Sequence, residues 1–390
     1  MPDSVKLFGP GETRAAAIYI IAKKIQPQMN AVIDLQLNYP VLSSQGNYFN
    51  SSFKQHVNEY DKWLSVIPFR GYDADRELAA AWLSGNGKQI GYDRVSMVTG
   101  GHHGVLVAVL AAGLIGKVVV TDEFTYPNFK ELAGLLDIRL VPCAGDEKGM
   151  LPESLKEVCN KFSASGIYVM PTLHNPTGHV MPVDRRSEII EVASNLGIVI
   201  IEDDAYGFLE EDPPLKFAQL EPGNCWYIYS LSKPLAPDIK LGYVVSPLKD
   251  ISTVSSAIKL STSNPSALFA SYVSGLIGSG ELQVIIRQKR EEGRKRRLAA
   301  QGLLNGLNVR AHENGWHLWV ELPTAVSADD LYSALLKEKV LISPSSAYRV
   351  GKRSKGNDFF RIALGGEKDL ARVLEGVGIV DRTIQHLNFQ

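Results

Sequence analysis

Three cysteines in 390 residues, Cys143, Cys159 and Cys225, are too few and too widely spaced for a disulfide framework, and their spacing matches no metal site. A reducing cytoplasm is the expected compartment. Excess charge is missing too: 41 basic and 42 acidic residues leave a net charge of -1, with no overall pull toward nucleic acid or an anionic membrane. No uncharged apolar stretch reaches 18 residues, and Met1 to Pro10 lacks a basic segment followed by an apolar core, so neither membrane insertion nor export is expected. Repeats and low-complexity tracts are also lacking. The one basic run, Lys289-Arg-Glu-Glu-Gly-Arg-Lys-Arg-Arg297, is interleaved with acids and reads as a solvated helix face.

What is present is an alternation of short apolar runs and helical patterns. Val118 to Thr121, Ile138 to Pro142, Ile167 to Met170, Ile198 to Ile201, Trp226 to Tyr229 and Tyr243 to Ser246 read as buried strands. Helical patterns at Phe129 to Leu136, Pro152 to Val158 and Arg185 to Leu196 separate several of them. The expected fold class is α/β: a mainly parallel sheet sandwiched by helices, in a large domain over about residues 46–290. Alternating segments at Trp316 to Glu321 and Phe359 to Leu364, with helices at Ala328 to Lys337 and Glu367 to Gly376, predict a smaller α+β domain over 291–390. Residues 1–45, with an amphipathic helix at Arg14 to Ile25, are expected to pack near that domain or a partner subunit.

The polar clusters follow the strands. Ser230-Leu-Ser232-Lys233-Pro-Leu-Ala-Pro237-Asp-Ile-Lys240-Leu-Gly242 places a lysine among hydroxyls just past an apolar strand, where open α/β sheets bind ligands. His174-Asn175-Pro176-Thr177-Gly178 and Asp203-Asp204-Ala205-Tyr206 follow two other strands. Thr99-Gly100-Gly101-His102-His103-Gly104 opens an apolar helix whose first N–H groups, including those of Gly101, His102 and His103, form an anion site. The two imidazoles have no third ligand spaced for a metal. A ring bearing a phosphate, a phenolic oxygen, a pyridine nitrogen and an aldehyde uses the whole set. The helix start takes the phosphate, Asn175 and Tyr206 the phenolate, Asp203 the pyridinium and Lys233 the aldehyde. That description fits pyridoxal 5′-phosphate. Asp203 rather than Asp204 is assigned because neighbouring residues at a strand end point to opposite sides.

On these motifs the chain resembles the fold-type I, class I/II aminotransferase family: a glycine-rich phosphate turn, Tyr126 in Thr125-Tyr-Pro-Asn, N-P-T-G at Asn175, D-x-x-Y at Asp203, S-x-S-K at Ser230 and a late arginine, Arg361. The resemblance covers roughly residues 30–390. It implies that Tyr126 stacks on the cofactor ring, that Ser230, Ser232 and position 240 hold the phosphate, and that Arg361 clamps the substrate α-carboxylate. It also implies a homodimer with active sites near the interface. The family's phosphate arginine is replaced here by Lys240, its glycine-rich lid by Leu37-Asn38-Tyr39-Pro40, and its cross-subunit tyrosine pattern by Phe69-Arg-Gly-Tyr72. Asn38 is therefore assigned to the substrate side, and Tyr72 to the neighbouring subunit's phosphate. His317, Trp319 and Tyr348 are expected neighbours of the substrate side chain.

The main expectation is a pyridoxal-phosphate aminotransferase acting on an L-amino acid and a 2-oxo acid, with Lys233 as anchor and general base. Lys240, which some related arginine-oxidising enzymes also carry, keeps open a second use of the cofactor: β/γ-elimination or replacement, cyclisation or oxygen-dependent oxidation in natural-product biosynthesis. A cofactor-sensing regulator is the third class; no helix-turn-helix pattern precedes residue 46.

Overall fold

The computed structural model describes residues 32–57, 64–352 and 358–388; the expected helix Arg14 to Ile25 lies outside them. Seven strands, Val95–Val98 (β1), Val118–Asp122 (β2), Arg139–Cys143 (β3), Gly166–Val169 (β4), Val199–Asp204 (β5), Cys225–Ser230 (β6) and Gly242–Val245 (β7), form one sheet in the order β1-β7-β6-β5-β4-β2-β3. Only β7 runs against the others, so the six remaining strands end on one edge. Every residue of β1, β4, β6 and β7 is buried, which explains the continuously apolar runs: both faces are covered. Helix Gly101–Ala111 lies close against the sheet because Gly104 has no side chain. A Cβ there would stand 2.8 Å from Ile228 Cγ2 and 3.3 Å from Val244 Cγ2.

A second sheet pairs Val309–Arg310, His317–Glu321, Phe359–Ala363 and Ser343–Pro344, all antiparallel. Leu318, Val320, Phe360 and Ile362 point into a separate apolar core with helices Ala328–Lys337 and Leu370–Asn388. The other face carries His317, Trp319, Phe359 and Arg361. Trp319 stacks on Phe359 at 5.4 Å and meets Phe124, past the end of β2, edge-on at 5.2 Å. The last helix starts later and runs longer than the expected Glu367 to Gly376, because Val373, Val377, Val380 and Ile384 continue its buried stripe.

Helix Glu281–Gln301 joins the two cores: Leu282, Ile285 and Ile286 enter the large one, Ala300 the small one. The boundary expected at residue 290 falls inside it. The reading of its basic run as a solvated face is corrected here. Lys289 and Arg296 are buried, and Arg296 donates to the carbonyls of Leu364 and Glu367, each at 2.7 Å. Arg290 donates to those of Phe208 and Glu210. A helix crossing between domains meets chain turns on several sides, and guanidinium groups satisfy the carbonyls exposed there. Lys295 and Arg294 remain exposed.

Candidate active site at the carboxyl edge

Lys233 stands three residues beyond β6. Its Nζ donates to the main-chain carbonyl of Asn38 at 2.6 Å and lies 3.5 Å from the Tyr39 ring centroid and 5.7 Å from that of Tyr206. Burial, then the like charges of Arg361, Lys240 and Lys289, hold its pKa well below the ordinary lysine value, against a weaker upward pull from Asp203. That direction favours the neutral, nucleophilic form of the amine.

The end of β5 separates two acids as strand alternation requires. Asp203 Oδ2 accepts from Tyr168 Oη at 2.6 Å, and burial pushes its pKa up to about 6. Asp204 faces away, accepting from Tyr227 Oη and the Gly207 N–H, each at 2.7 Å. Glu202 fixes the strand end from below: it pairs with fully buried Arg186 at 3.1 Å and accepts from Phe217 N at 2.8 Å. Tyr206 donates to the same Asn38 carbonyl at 3.4 Å, with its pKa raised to about 12 by burial.

Arg361 and Asn175 meet directly, Nη1 donating to Asn175 Oδ1 at 2.7 Å. Arg361 Nη2 donates to the Gln36 carbonyl at 2.5 Å, and its buried Nε has no hydrogen-bond partner among the described residues. The ring of Tyr348 lies 5.3 Å from the guanidinium. His317, on the same sheet face, approaches Asn38 Nδ2 at 3.5 Å and the Tyr206 ring at 5.8 Å. Burial lowers its pKa to about 3, so the imidazole is neutral. Trp319 is two residues further along, within the aromatic stack.

At the helix start the Gly101 N–H donates to Ser230 Oγ at 3.3 Å, and Ser230 Oγ bonds Ser232 Oγ at 2.9 Å. A Cβ on Gly101 would stand 3.0 Å from Ser230 Cβ, so the helix start, Ser230 and Ser232 form one tight cradle. The imidazoles have roles that their proposed backbone use did not anticipate. His102 Nε2 hydrogen-bonds the Tyr126 hydroxyl and stands 3.3 Å from Asn128 Nδ2. His103 faces the opposite way, accepting from Thr99 N at 3.0 Å and bonding Ser261 Oγ at 2.7 Å. Tyr126 precedes helix Pro127–Leu135 and is tied to the site through His102. Lys240 is exposed, with Nζ donating to the Pro237 carbonyl at 2.7 Å. Tyr72 stands at the N-cap position of helix Asp73–Ser84.

Four contributors went unassigned in the sequence. Gln36 acts through its carbonyl, which no side-chain pattern signals. Tyr39 lay within the quoted lid segment but carried no role. Tyr168 was hidden inside an apolar strand, where a tyrosine reads as core. Lys289 was absorbed into the basic run. Among the described residues, no group of three or more His, Cys, Asp or Glu is placed to hold a metal ion.

The family model described as "Aminotransferase class I and II" matches residues 32–377. Among curated proteins, an uncharacterized HTH-type transcriptional regulator of Bacillus subtilis, YdeF, is 26% identical over 332 residues, covering 85% of this chain and 72% of the regulator. Two other regulators of that description are matched over 66% and 58% of their own lengths, so the chain spans less than two thirds of each. The 2-aminoadipate transaminase of Thermus thermophilus is 24% identical, with 83% of this chain and 82% of that protein covered. A solved structure of Pyrococcus horikoshii kynurenine aminotransferase shares the fold with a TM-score of 0.84 at 23% identity, over 98% of this chain and 97% of that one.

Proposed function

This chain belongs to the class I and II aminotransferase family, whose cofactor is pyridoxal 5′-phosphate, and on that premise we propose that it transfers the amino group of an L-amino acid to a 2-oxo acid. The observation that carries the reading is the placement of Lys233: a half-buried amine of lowered basicity, within electrostatic reach of Asp203 at the end of the neighbouring strand and of Arg361, which is paired with Asn175.

The residues fit the cofactor. Asp203 is a buried carboxylate with a phenol as its hydrogen-bond donor, and a cationic ring nitrogen is the partner that would return its pKa to the ordinary range. The cradle of Gly101, Ser230 and Ser232 offers N–H and hydroxyl donors to a phosphate at a helix start, with the N–H groups of His102 and His103 beside it. Lys240 would add charge to that phosphate without the two-pronged geometry of an arginine. Tyr126, fixed by His102, would flank the ring, and Asn175 and Tyr206 would hold its phenolic oxygen.

When bound, the cofactor supplies an aldehyde that condenses with amines and an aromatic ring that accepts the electron pair left when an α-proton departs. Arg361 would bind the substrate α-carboxylate with its forked donors, its Nε being free to join. Asn175 orients that guanidinium through Oδ1. The neutral amine of Lys233 would take the α-proton and return it one atom away, acting as general base and then acid. Asp203, as a carboxylate, would keep the ring nitrogen protonated.

A second copy of the chain is the proposed partner. Leu64 and Val66 are 87% and 88% exposed, and Leu260, on the helix whose Lys259 approaches Phe69, is 85% exposed. Tyr72 lies in the same neighbourhood and would serve the other subunit's phosphate. The free, buried cysteines suit a cytoplasmic setting, and among the described residues no single helix is long and apolar enough to cross a membrane. The test is a screen of amino acids with 2-oxo acids in the presence of pyridoxal phosphate, read by mass spectrometry. Amino-group exchange supports the reading; deamination without a new amino acid contradicts it.

The partial match to HTH-type regulators favours a second reading, a cofactor-binding sensory unit. Cofactor binding without turnover of any amino acid would select it.

A further inference from the structure

Lys289 lies midway along helix Glu281–Gln301 and is fully buried. Its Nζ donates to two main-chain carbonyls, those of Lys233 at 2.9 Å and Leu235 at 2.8 Å. Burial alone lowers its pKa, to about 7, with no acidic group contributing. An ammonium is far costlier to bury than the thioether of a methionine of similar length, so its position calls for a reason.

The two carbonyls belong to the turn that presents Lys233. Gln45 Nε2 adds a further donor to the Leu235 carbonyl at 2.5 Å, so the turn is held by helix Gln45–His56 as well as by the long helix. The Lys289 carbonyl in turn accepts from Trp316 Nε1 at 2.9 Å, next to His317. A continuous path therefore runs from the small domain's site-facing strand, through Lys289, to the main chain of Lys233. The charged groups acting on the Lys233 amine are Arg361 from the small sheet, Lys240 from the following loop, Lys289 from the long helix and, with opposite sign, Asp203 from β5.

We propose that Lys289 is a positioning residue for Lys233: through the Lys233 and Leu235 carbonyls its side-chain nitrogen fixes the main chain of the turn that presents the Lys233 amine, and in its protonated form it stands as a like charge behind that amine. The inference rests on the reading of Lys233 as the cofactor anchor. Lys289→Met keeps the side-chain length and removes both donor and charge. With pyridoxal phosphate bound to the full chain, titration of the cofactor's absorbance reports the protonation of the nitrogen that joins it to Lys233. The expected result is a midpoint raised by about one pH unit in Lys289→Met, together with faster amide hydrogen exchange at Lys233, Leu235 and Ala236. If Lys289→Met does not fold, Lys289→Gln, which also removes the charge, is read in the same titration. An unchanged midpoint, with the cofactor attached at Lys233, overturns the inference alone. Attachment of the cofactor at any other residue overturns the reading beneath it as well.

Discussion

Replacing Arg361 by glutamine tests the substrate side of the site, because the guanidinium is held by Asn175 Oδ1 and the Gln36 carbonyl while its Nε has no partner among the described residues. A fork engaging a carboxylate makes two charge-assisted hydrogen bonds worth about 1.5–3 kcal/mol each. Losing both should cost about 3–5 kcal/mol in transition-state binding, a fall of roughly 10² to 10⁴ in kcat/KM for the amino donor. Arg361→Lys keeps the charge but not the fork, and should lose about 10- to 100-fold. The assay compares each amino acid with the primary amine lacking its α-carboxylate. Wild type should favour the acid strongly, and Arg361→Gln should favour it little. Equal losses on both donors would refute the assignment, since they would mean that Arg361 serves the fold rather than the carboxylate. Melting temperature, measured alongside, reports the structural share.

Asp203→Asn should lower turnover by at least about 100-fold while leaving cofactor attached, because a neutral amide cannot keep the ring nitrogen protonated; turnover at the wild-type level would exclude the assigned role. In the cofactor-free protein Asp203 titrates near 6 against 3.8 in an unfolded chain, so between those values the native state still holds a proton that the unfolded state has released. Asp203's contribution to wild-type stability thus falls by about 2–3 kcal/mol as pH rises from about 4 to 6, and Asp203→Asn removes that share. Urea unfolding of both proteins at the two pH values checks the sign. Gly104→Ala should destabilise by about 1–3 kcal/mol, since its Cβ would press on Ile228 and Val244. Sedimentation should show a dimer that Leu260→Glu dissociates.

The parallel sheet was legible because strands buried on both faces have no polar side and read as unbroken apolar runs. The clusters were legible because each follows a strand, and only one edge of such a sheet collects strand ends. Asp203 could be separated from Asp204 by strand alternation, and the structure shows the two acids facing Tyr168 and Tyr227 respectively. Contacts made by main-chain carbonyls were illegible: Gln36 and Asn38 reach Arg361 and Lys233 through atoms that every residue possesses. Lys289 was lost for a different reason. Charge patterning presumes solvent around a basic run, whereas the helix here crosses a domain junction where carbonyls replace water.

The account turns on which lysine joins the cofactor. Lys240 and Lys289 both stand close enough to act on Lys233, and both Lys233 and Lys289 have lowered basicity. Borohydride reduction of the protein with pyridoxal phosphate, followed by peptide mass spectrometry, decides among them. The prediction is a single pyridoxyl label on Lys233, abolished in Lys233→Ala. A label on Lys240 or Lys289 in the wild-type protein, or no label at all, would contradict it.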